Sequence, residues 1–584
     1  MSVKEVVTLQ VGHYSNFVGA HWWNIQESSF VYSQSQVAGP KEICHDVLYR
    51  EGENRRREVT FTPRLVAFDL KGSLKTLKQE GVLYETGAEG EDIKWIGDVT
   101  MHKEVSEPRN PFLMSLEEIQ EIEDEDQSTC KDITDDEKYD NTVNSRKKKI
   151  QQDHQLEKNE DPDIFAKKEH CTMEDHVTVW SDFLGTNFHP KSVHIVEEYK
   201  HKDELSSFDL FNSSDEVFAN YESTCEWEDR IRYFTEECDN LQGFHVLLDT
   251  HDGFGGLGAG IVRYLEEEFP GKGIFTFGFT PADAPDDSAQ VRATRIINSA
   301  LAYENVSTHS SLFVPVSLAS SLWRNLGKPV EFPYLNYKSI PYHTSAILAS
   351  ALDTLSLPYR LETGAIDLRD ITHSFNTQGR KVATLNTSFP LGLYKDESLI
   401  DFFSQHGKRF PWQPVTPHVQ NEKLPFIQSV VMRGVTDSLV ASKTDPQKLP
   451  EYLTRLSTKE EVLRNYLEHM SCGNLFASTC LESVLKTKIP YPQLFSDDVT
   501  SDGFVSPTSR PADKQVDSVP MITSLQCTPD AGIVIRQLYD AVSRMNIKKH
   551  HRHLSAGLEE DDYEEILANL EVLAANYNTD AEAL

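Results

Sequence analysis

The chain has 584 residues, a formal net charge of −35, and hydrophobic and aromatic shares of 39% and 10%. That length and apolar content suit more than one packed domain. The acidity argues against nucleic-acid binding, which needs a surplus of Lys and Arg against phosphate, and against direct adhesion to anionic lipid except through local basic patches. No apolar run reaches the roughly 18 residues that a spanning helix requires. Met1 to Asn16 holds one lysine and no arginine, which predicts neither a signal peptide nor a mitochondrial presequence, so that any organelle contact is expected from the cytosol. Eight cysteines (44, 130, 171, 225, 238, 472, 480 and 527) contain no C-x-x-C pair, the pattern of a reduced protein without a disulfide framework or zinc site.

In chain order, Val6-Val7-Thr8-Leu9 reads as a first strand. Gln10-Val11-Gly12 then turns into a segment of helical spacing, Asn16 to Trp23. A second strand, Leu65-Val66-Ala67-Phe68, ends at Asp69. From 103 to 174 the chain becomes polar and charged, with Glu121 to Asp126 acidic and Arg146-Lys147-Lys148-Lys149 basic. Such a stretch lacks the apolar surface to offset ordering and is expected to be a disordered insertion. Order is expected again at Val177 to Trp180, followed by a helix from Trp227 to Asn240, a buried strand Phe244 to Leu248, a glycine-rich loop and a helix through Ile261 to Phe269. Gly273 to Phe279 is the next strand.

Strands alternating with helices predict a parallel sheet with crossover helices. Tyr342 to Leu357 reads as a helix that opens a second region with a strand at Gln428 to Met432. A polar loop, 496–519, precedes two C-terminal helices. The last, Tyr563 to Tyr577, carries one apolar stripe of Ile566, Leu570, Leu573 and Tyr577.

The strongest local signal runs from Asp249-Thr250-His251-Asp252 through Gly253, Gly255, Gly256, Gly258 and Gly260, between a strand and a helix. Glycines there let a backbone approach phosphate, and free amides at a helix start favour an anion. Equally, they allow a tight turn and close helix-to-sheet packing. Gly253, Gly255 and Gly258 also satisfy G-x-G-x-x-G, which raises a dinucleotide-binding reading. That reading requires a ribose-binding acid at the next strand end, where Gly278-Phe279-Thr280-Pro281 stands instead. Gln10 to Asn16 is a second strand-to-helix turn. Asp367 and Asp370 lie three apart and can share a helix face. The basic run Lys548 to His553 reads as an exposed helix end or an anionic-surface contact, without the ligand set of a metal site.

Taken together, these segments resemble tubulin. Glu5 to Gly12, Asn16 and Gly19 to Trp23 look like its first strand and nucleotide loop. Thr62-Pro63-Arg64 with Asp69-Leu70 is similar to the second loop, and Gly185-Thr186-Asn187 to the end of the third. Leu241 to Phe244 leading into the glycine run resembles the signature G-G-G-T-G-S-G. Val431-Met432-Arg433-Gly434 is similar to an intermediate-domain strand, and Ser555-Ala556-Gly557 before an acidic helix to the tubulin C-terminus. The opening Val11 to Asn24 looks specifically like the misato family of tubulin-related proteins.

The resemblance implies an α/β, tubulin-like fold. A parallel-sheet domain of nucleotide-binding type would occupy 1–102 and 175–340, interrupted by the insertion. An α/β intermediate domain would follow over 341–527, and C-terminal helices over 528–584. It also implies a degenerate guanine-nucleotide pocket at Gly12, Asn16, Asp69, Asn187, Gly255, Gly256, Gly258 and Gly260, with GTP or GDP as the candidate ligand. By the same resemblance the protein is expected to regulate mitochondrial distribution, morphology and fusion from the cytoplasm and the cytosolic face of the outer membrane. Protein partners at that surface, peripheral membrane contact and a cytosolic chaperonin follow as expectations.

Departures from tubulin weigh against catalysis. Both hydroxyl residues of the signature are replaced by Leu257 and Ala259, and His13, Tyr14 and Ser15 replace Gln, Cys and Gly of the first loop. Lys71 replaces an acid, and Ala346 stands nearest the base-contacting Asn. Hydrogen bonds to charged groups contribute about 1.5–3 kcal/mol each, so losing two weakens phosphate binding by roughly 10² to 10⁴. A non-enzymatic scaffold is therefore expected. The alternative is a divergent, assembling GTPase in which Asp370 supplies the carboxylate that tubulin-like filaments take from a neighbouring subunit.

Overall fold

Val6 to Val11 is apolar or β-branched at five of six positions and buried throughout, which fits a central strand covered on both faces. The computed structural model describes residues 3–30, 41–53, 59–75, 77, 110, 112–114, 116, 173–203, 207–282, 288–323, 327–407, 409–421, 423–445, 447, 449–471, 474–511 and 514–578. Its strands are β1 (Val6–Val11), β2 (Tyr49–Glu53), β3 (Val59–Pro63), β4 (Leu65–Lys71), β5 (Val193–Lys200), β6 (Gly243–Asp249), β7 (Gly273–Phe279), β8 (Leu312–Val316), β9 (Thr384–Ser388), β10 (Gln413–Pro414), β11 (Ile427–Arg433), β12 (Leu475–Leu481), β13 (Leu485–Lys486), β14 (Ser518–Val519) and β15 (Met521–Cys527). The α-helices are α1 (His13–Ser28), α2 (Ser214–Ala219), α3 (Tyr221–Glu236), α4 (Gly253–Glu268), α5 (Ala289–His309), α6 (Pro341–Ser356), α7 (Leu368–Phe375), α8 (Leu399–His406), α9 (Lys459–Ser471), α10 (Pro529–Val542), α11 (His551–Ser555) and α12 (Glu560–Ala575).

Six strands form one wholly parallel sheet in the order β5-β4-β1-β6-β7-β8. β1, β6 and β7 are buried at every residue, while the edge strand β5 has exposed positions. The strand order reverses between β1 and β6. In open parallel sheets that switch point, at the carboxyl ends of the strands, is where ligands bind. The register sets Val11 opposite Leu248, so the next residues, Gly12 and Asp249, leave the sheet side by side.

A second, mixed sheet has the order β10-β9-β15-β11-β12, with only β11 and β12 parallel. The helix α6 lies between the two sheets. Its Pro-Tyr-His-Thr-Ser-Ala-Ile-Leu-Ala-Ser-Ala-Leu run is apolar or small on every side, and all residues from Tyr342 to Ser356 are buried, as an all-round apolar helix must be. The one carboxylate on α6, Asp353, accepts from Arg360 Nη1 (2.8 Å), Arg433 Nη1 (2.6 Å) and Trp22 Nε1 (3.2 Å). Those bonds tie α1, α6 and β11 together.

The C-terminal stripe is present. Tyr563, Leu570 and Tyr577 are buried, Ile566 and Leu573 are partly so, and the Tyr577 hydroxyl both donates to the Val382 carbonyl (2.7 Å) and accepts from its amide (2.7 Å). The third helix runs from Tyr221 to Glu236 rather than from Trp227 to Asn240. Asn220 accepts from the Ser223 amide and so caps it earlier than the apolar spacing suggests. Nearly all of 103–174, including Arg146 to Lys149, lies outside the described residues. Within that stretch the Asn110 side chain accepts from the Phe112 amide (2.9 Å) and Glu174 pairs with Lys338. Among the described residues no helix is long and apolar enough to cross a membrane.

Candidate nucleotide-type crevice

At the switch point α1 starts at Gly12, whose φ of +123° only glycine adopts readily. Gly12 has no side chain to cap the helix. The cap comes from Asp249 at the end of β6, which accepts the Tyr14 amide on Oδ2 (2.8 Å) and the Ser15 amide on Oδ1 (2.8 Å). Amides of a helix's first turn are where a phosphate would be held. Here the chain's own carboxylate holds them.

The glycine run does not form a loop. Asp252 caps α4 by accepting the Phe254 amide (3.0 Å), and the helix begins at Gly253, so Gly255, Gly256, Gly258 and Gly260 all lie inside it. The Gly253 amide donates to the Phe208 carbonyl (3.1 Å) and the Gly255 amide to the Asp252 carbonyl (3.1 Å). A Cβ on Gly256 would run into the Phe211 carbonyl oxygen, and one on Gly260 into the Phe218 ring. On Gly255 and Gly258 it would stand 3.2 Å from the Ala302 and Leu248 Cβ atoms. Of the two expectations for these glycines, close packing is the one realised: small residues let α4 lie tight against β6, α5 and the 208–218 segment. The dinucleotide reading of Gly253, Gly255 and Gly258 fails for the same reason, since those amides face the chain's own acceptors. Asn298 on α5 fixes the 208–211 segment there. It accepts the Phe211 amide (3.0 Å) and donates to the Asp209 (2.7 Å) and His251 (3.0 Å) carbonyls.

The space between α1 and α6 is filled as well. In the turn Trp180–Phe183 the Phe183 ring is fully buried. It stacks on His21 (4.3 Å between centroids) and lies 5.1 Å from Tyr342 and 5.6 Å from Phe17. The Asp182 carboxylate holds that turn by accepting the Thr178 (2.7 Å) and Val179 (3.0 Å) amides. Tyr14 reaches across to α6, its hydroxyl donating to Thr344 Oγ1 (2.9 Å). Ala346 is buried on that helix.

Asp69, at the end of β4, joins this cluster. Its carboxylate accepts from Trp180 Nε1 (2.7 Å), His13 Nδ1 (3.1 Å), Asn16 Nδ2 (3.3 Å) and the Leu70 amide (2.8 Å). Burial works to raise its pKa, and His13 with these donors more than offsets that, holding it below the usual carboxylate value. Asp249 goes the other way: burial and then the charge of Asp252 push it well up against the pull of the two amides. Burial likewise pushes Asp252 up to about 7. Asp69 therefore keeps its negative charge in the crevice, which opposes a nucleotide's phosphates. Beside Asp69 the structure also gathers His13 and His201, with one ligand-type atom of each lying within 4.8 Å of the others.

Of the expected pocket residues, Gly12, Asn16 and Asp69 come together. Asn187 does not. It precedes β5, in the segment whose Gly185 amide bonds to Asn24 far along α1 (2.8 Å), whereas strand ends that face the crevice are the carboxyl ones. The segment after β5, His201 and Phe208 to Phe211, takes that place. Sequence reading missed His201, Phe208, Trp180 and Phe183, which no motif marks; Asp249 was legible as a strand-end acid next to a helix start. Asp370 is exposed on α7. That helix packs at the start of β7, since a Cβ on Gly273 would lie 3.4 Å from Arg369 Cα, at the amino edge of the sheet. The basic run is partly absorbed by the protein itself: Arg552 forms a bidentate pair with Asp209 (2.6 and 2.7 Å), Lys548 pairs with Glu560 (2.9 Å) and His553 is buried.

Comparison with known proteins agrees with this architecture. Residues 4–118 match the Misato Segment II tubulin-like domain, and residues 170–361 match a Tubulin domain. The chain is 35% identical over 578 residues to Protein misato homolog 1 of Bos taurus, covering 98% of each chain, and 34% identical over 577 residues to that of Homo sapiens, again covering 98% of each. It is 28% identical over 584 residues to Protein misato of Drosophila melanogaster, with 97% of each chain covered. A tubulin-like parallel sheet whose switch point is closed by its own Asp249, together with a third of all positions identical along the whole length, places this chain in the misato family.

Proposed function

We propose that this protein is a tubulin-like scaffold that does not turn over nucleotide, and that it regulates mitochondrial distribution, morphology and fusion from the cytoplasm and the cytosolic face of the outer membrane. The mitochondrial role follows from what the misato resemblance implies. The non-enzymatic reading rests on one observation, that Asp249 occupies the first-turn amides of α1 which a phosphate would need. Its work would be done by surfaces that bind protein partners at the organelle, with a cytosolic chaperonin assisting folding as for tubulins.

The test is equilibrium binding of GTP and GDP to the full chain, with turnover followed in the same samples, beside depletion and rescue in cells. No saturable binding at millimolar nucleotide is expected, and depletion should alter the mitochondrial network. An unaltered network would overturn the mitochondrial role. A second reading, an assembling GTPase, draws on the exposure of Asp370 at the edge of the sheet opposite Gly12, where a stacked neighbour would meet it. Stoichiometric GTP binding with turnover abolished by Asp370→Asn would establish that reading and sink the first. Full rescue by Asp370→Asn in cells agrees with the scaffold.

A further inference from the structure

We propose that His13, Asp69 and His201 form a binding site for a divalent transition metal of the zinc type. The three residues come from three separate elements: the first position of α1, the end of β4 and the chain just after β5. One ligand-type atom from each lies within 4.8 Å of the other two. Zinc bonds of about 2.0–2.2 Å place tetrahedral ligand atoms roughly 3.4 Å apart, so small side-chain rotations close the set around one ion. The two imidazole rings already face each other, with centroids 4.2 Å apart and planes at 36°.

A second observation is independent of that spacing. His201 Nε2 is buried and has no hydrogen-bond partner, a state that costs free energy unless something occupies it. The backbone on either side is held: the His201 amide donates to the Lys71 carbonyl (2.9 Å), and Asp69 is fixed by Trp180, Asn16 and the Leu70 amide. Such outer bonds orient metal ligands. Two imidazoles and one carboxylate suit zinc and its borderline neighbours rather than magnesium or calcium, which prefer oxygen alone. The His13 side chain is 23% exposed, which gives the ion a way in and leaves a fourth position to water. A cation there also offsets the charge of the Asp69 carboxylate itself. The site stands whether or not nucleotide binds.

The experiment loads the full chain, purified under chelator, with Zn2+ against a competing indicator dye, and in parallel with Co2+ for its visible spectrum. One equivalent is expected at micromolar or tighter free zinc. Affinity should fall at least about tenfold in His201→Gln and in His13→Gln, with both variants checked for folding by their thermal transitions. The cobalt spectrum should be that of nitrogen and oxygen ligands without a thiolate charge-transfer band. This second readout needs no variant and separates the site from the chain's eight cysteine thiols. Zinc held equally by the wild type and both variants, no zinc held at all, or a thiolate band would overturn the assignment.

Discussion

Asp249 sits so close to Gly12 that a Cβ on the glycine would lie 2.5 Å from the carboxylate Oδ2. The parallel register of β1 and β6 brings the two residues together, and the carboxylate then closes the amino end of α1. Gly12 also holds φ of +123°, so Gly12→Ala adds backbone strain to the steric conflict. It should cost about 2–4 kcal/mol, read as a lower urea midpoint with an unchanged slope. An unmoved midpoint would mean that Asp249 is not seated on the helix.

The glycines of α4 give a graded test of what they are for. In a helix interior Gly→Ala ordinarily stabilises by about 1 kcal/mol. Here Gly256→Ala drives a methyl into the Phe211 backbone carbonyl, which cannot step aside, and should destabilise by about 2–4 kcal/mol. Gly260→Ala meets the end of the partly exposed Phe218 ring and should cost less. Gly258→Ala, 3.2 Å from the Leu248 Cβ, should lie near neutral. Chemical denaturation of the three variants checks the order. A phosphate-binding role would instead leave stability alone and show itself in nucleotide affinity.

Much of this fold was legible because period and composition carry it. Val6 to Leu9, Leu65 to Phe68 and Gly273 to Phe279 are apolar enough to be parallel strands in any context, and the stripe of α12 repeats at helical spacing. In the crevice, Gly12, Asn16 and Asp69 were legible through the resemblance to tubulin rather than through any local signal of their own. The glycine run misleads because a glycine needed for close packing looks the same as one needed for phosphate, and tertiary neighbours such as Phe211 and Phe218 decide which it is. Asn187 misleads because a short polar motif does not say on which side of its strand it falls. Phe183 and His201 act through partners some 160–190 residues away in sequence, His21 and His13, and no local pattern announces such a pairing.

The pH response of the crevice has a definite sign. Burial pushes the Asp252 carboxyl from an ordinary 3.8 up to about 7, so the folded state holds that proton more tightly than the unfolded chain does. Its contribution therefore turns against the fold as pH rises from about 4 to about 7, and the penalty persists above that. The side chain is 23% exposed, which limits the effect to the order of 1 kcal/mol. Asp252→Asn keeps a helix-capping oxygen and should be more stable than the parent near pH 8, with the gain gone near pH 4. The buried histidines His21 and His245, lowered to about 3 chiefly by burial, work in the opposite direction. They weaken the fold as pH falls below about 6.5 in parent and variant alike. Thermal unfolding of both proteins across that range isolates Asp252 by difference; a constant difference would refute the raised carboxyl.

A single buried carboxylate ties α1, α6 and β11 together. Asp353 on α6 accepts from Arg360 and Arg433, both buried, and offsets one of their two charges, while Arg360 also donates to Ser356 Oγ (2.7 Å) and Gln26 Oε1 (3.0 Å). Burial opposes the charge on Asp353, and the two guanidiniums more than offset it, holding its pKa below the usual value. Removing the acid leaves two buried cations without their shared partner, so Asp353→Asn should destabilise by about 3–5 kcal/mol. Replacing the two arginines together with methionine removes the charges that need an acid, yet strands Asp353, and should cost about as much. Replacing all three with apolar residues of similar volume should recover most of the loss, since a buried ion network adds little over good packing. Denaturant midpoints of the three proteins read this order. If Asp353→Asn alone proves benign, α6 is held by its apolar faces and the network does not couple it to α1 and β11.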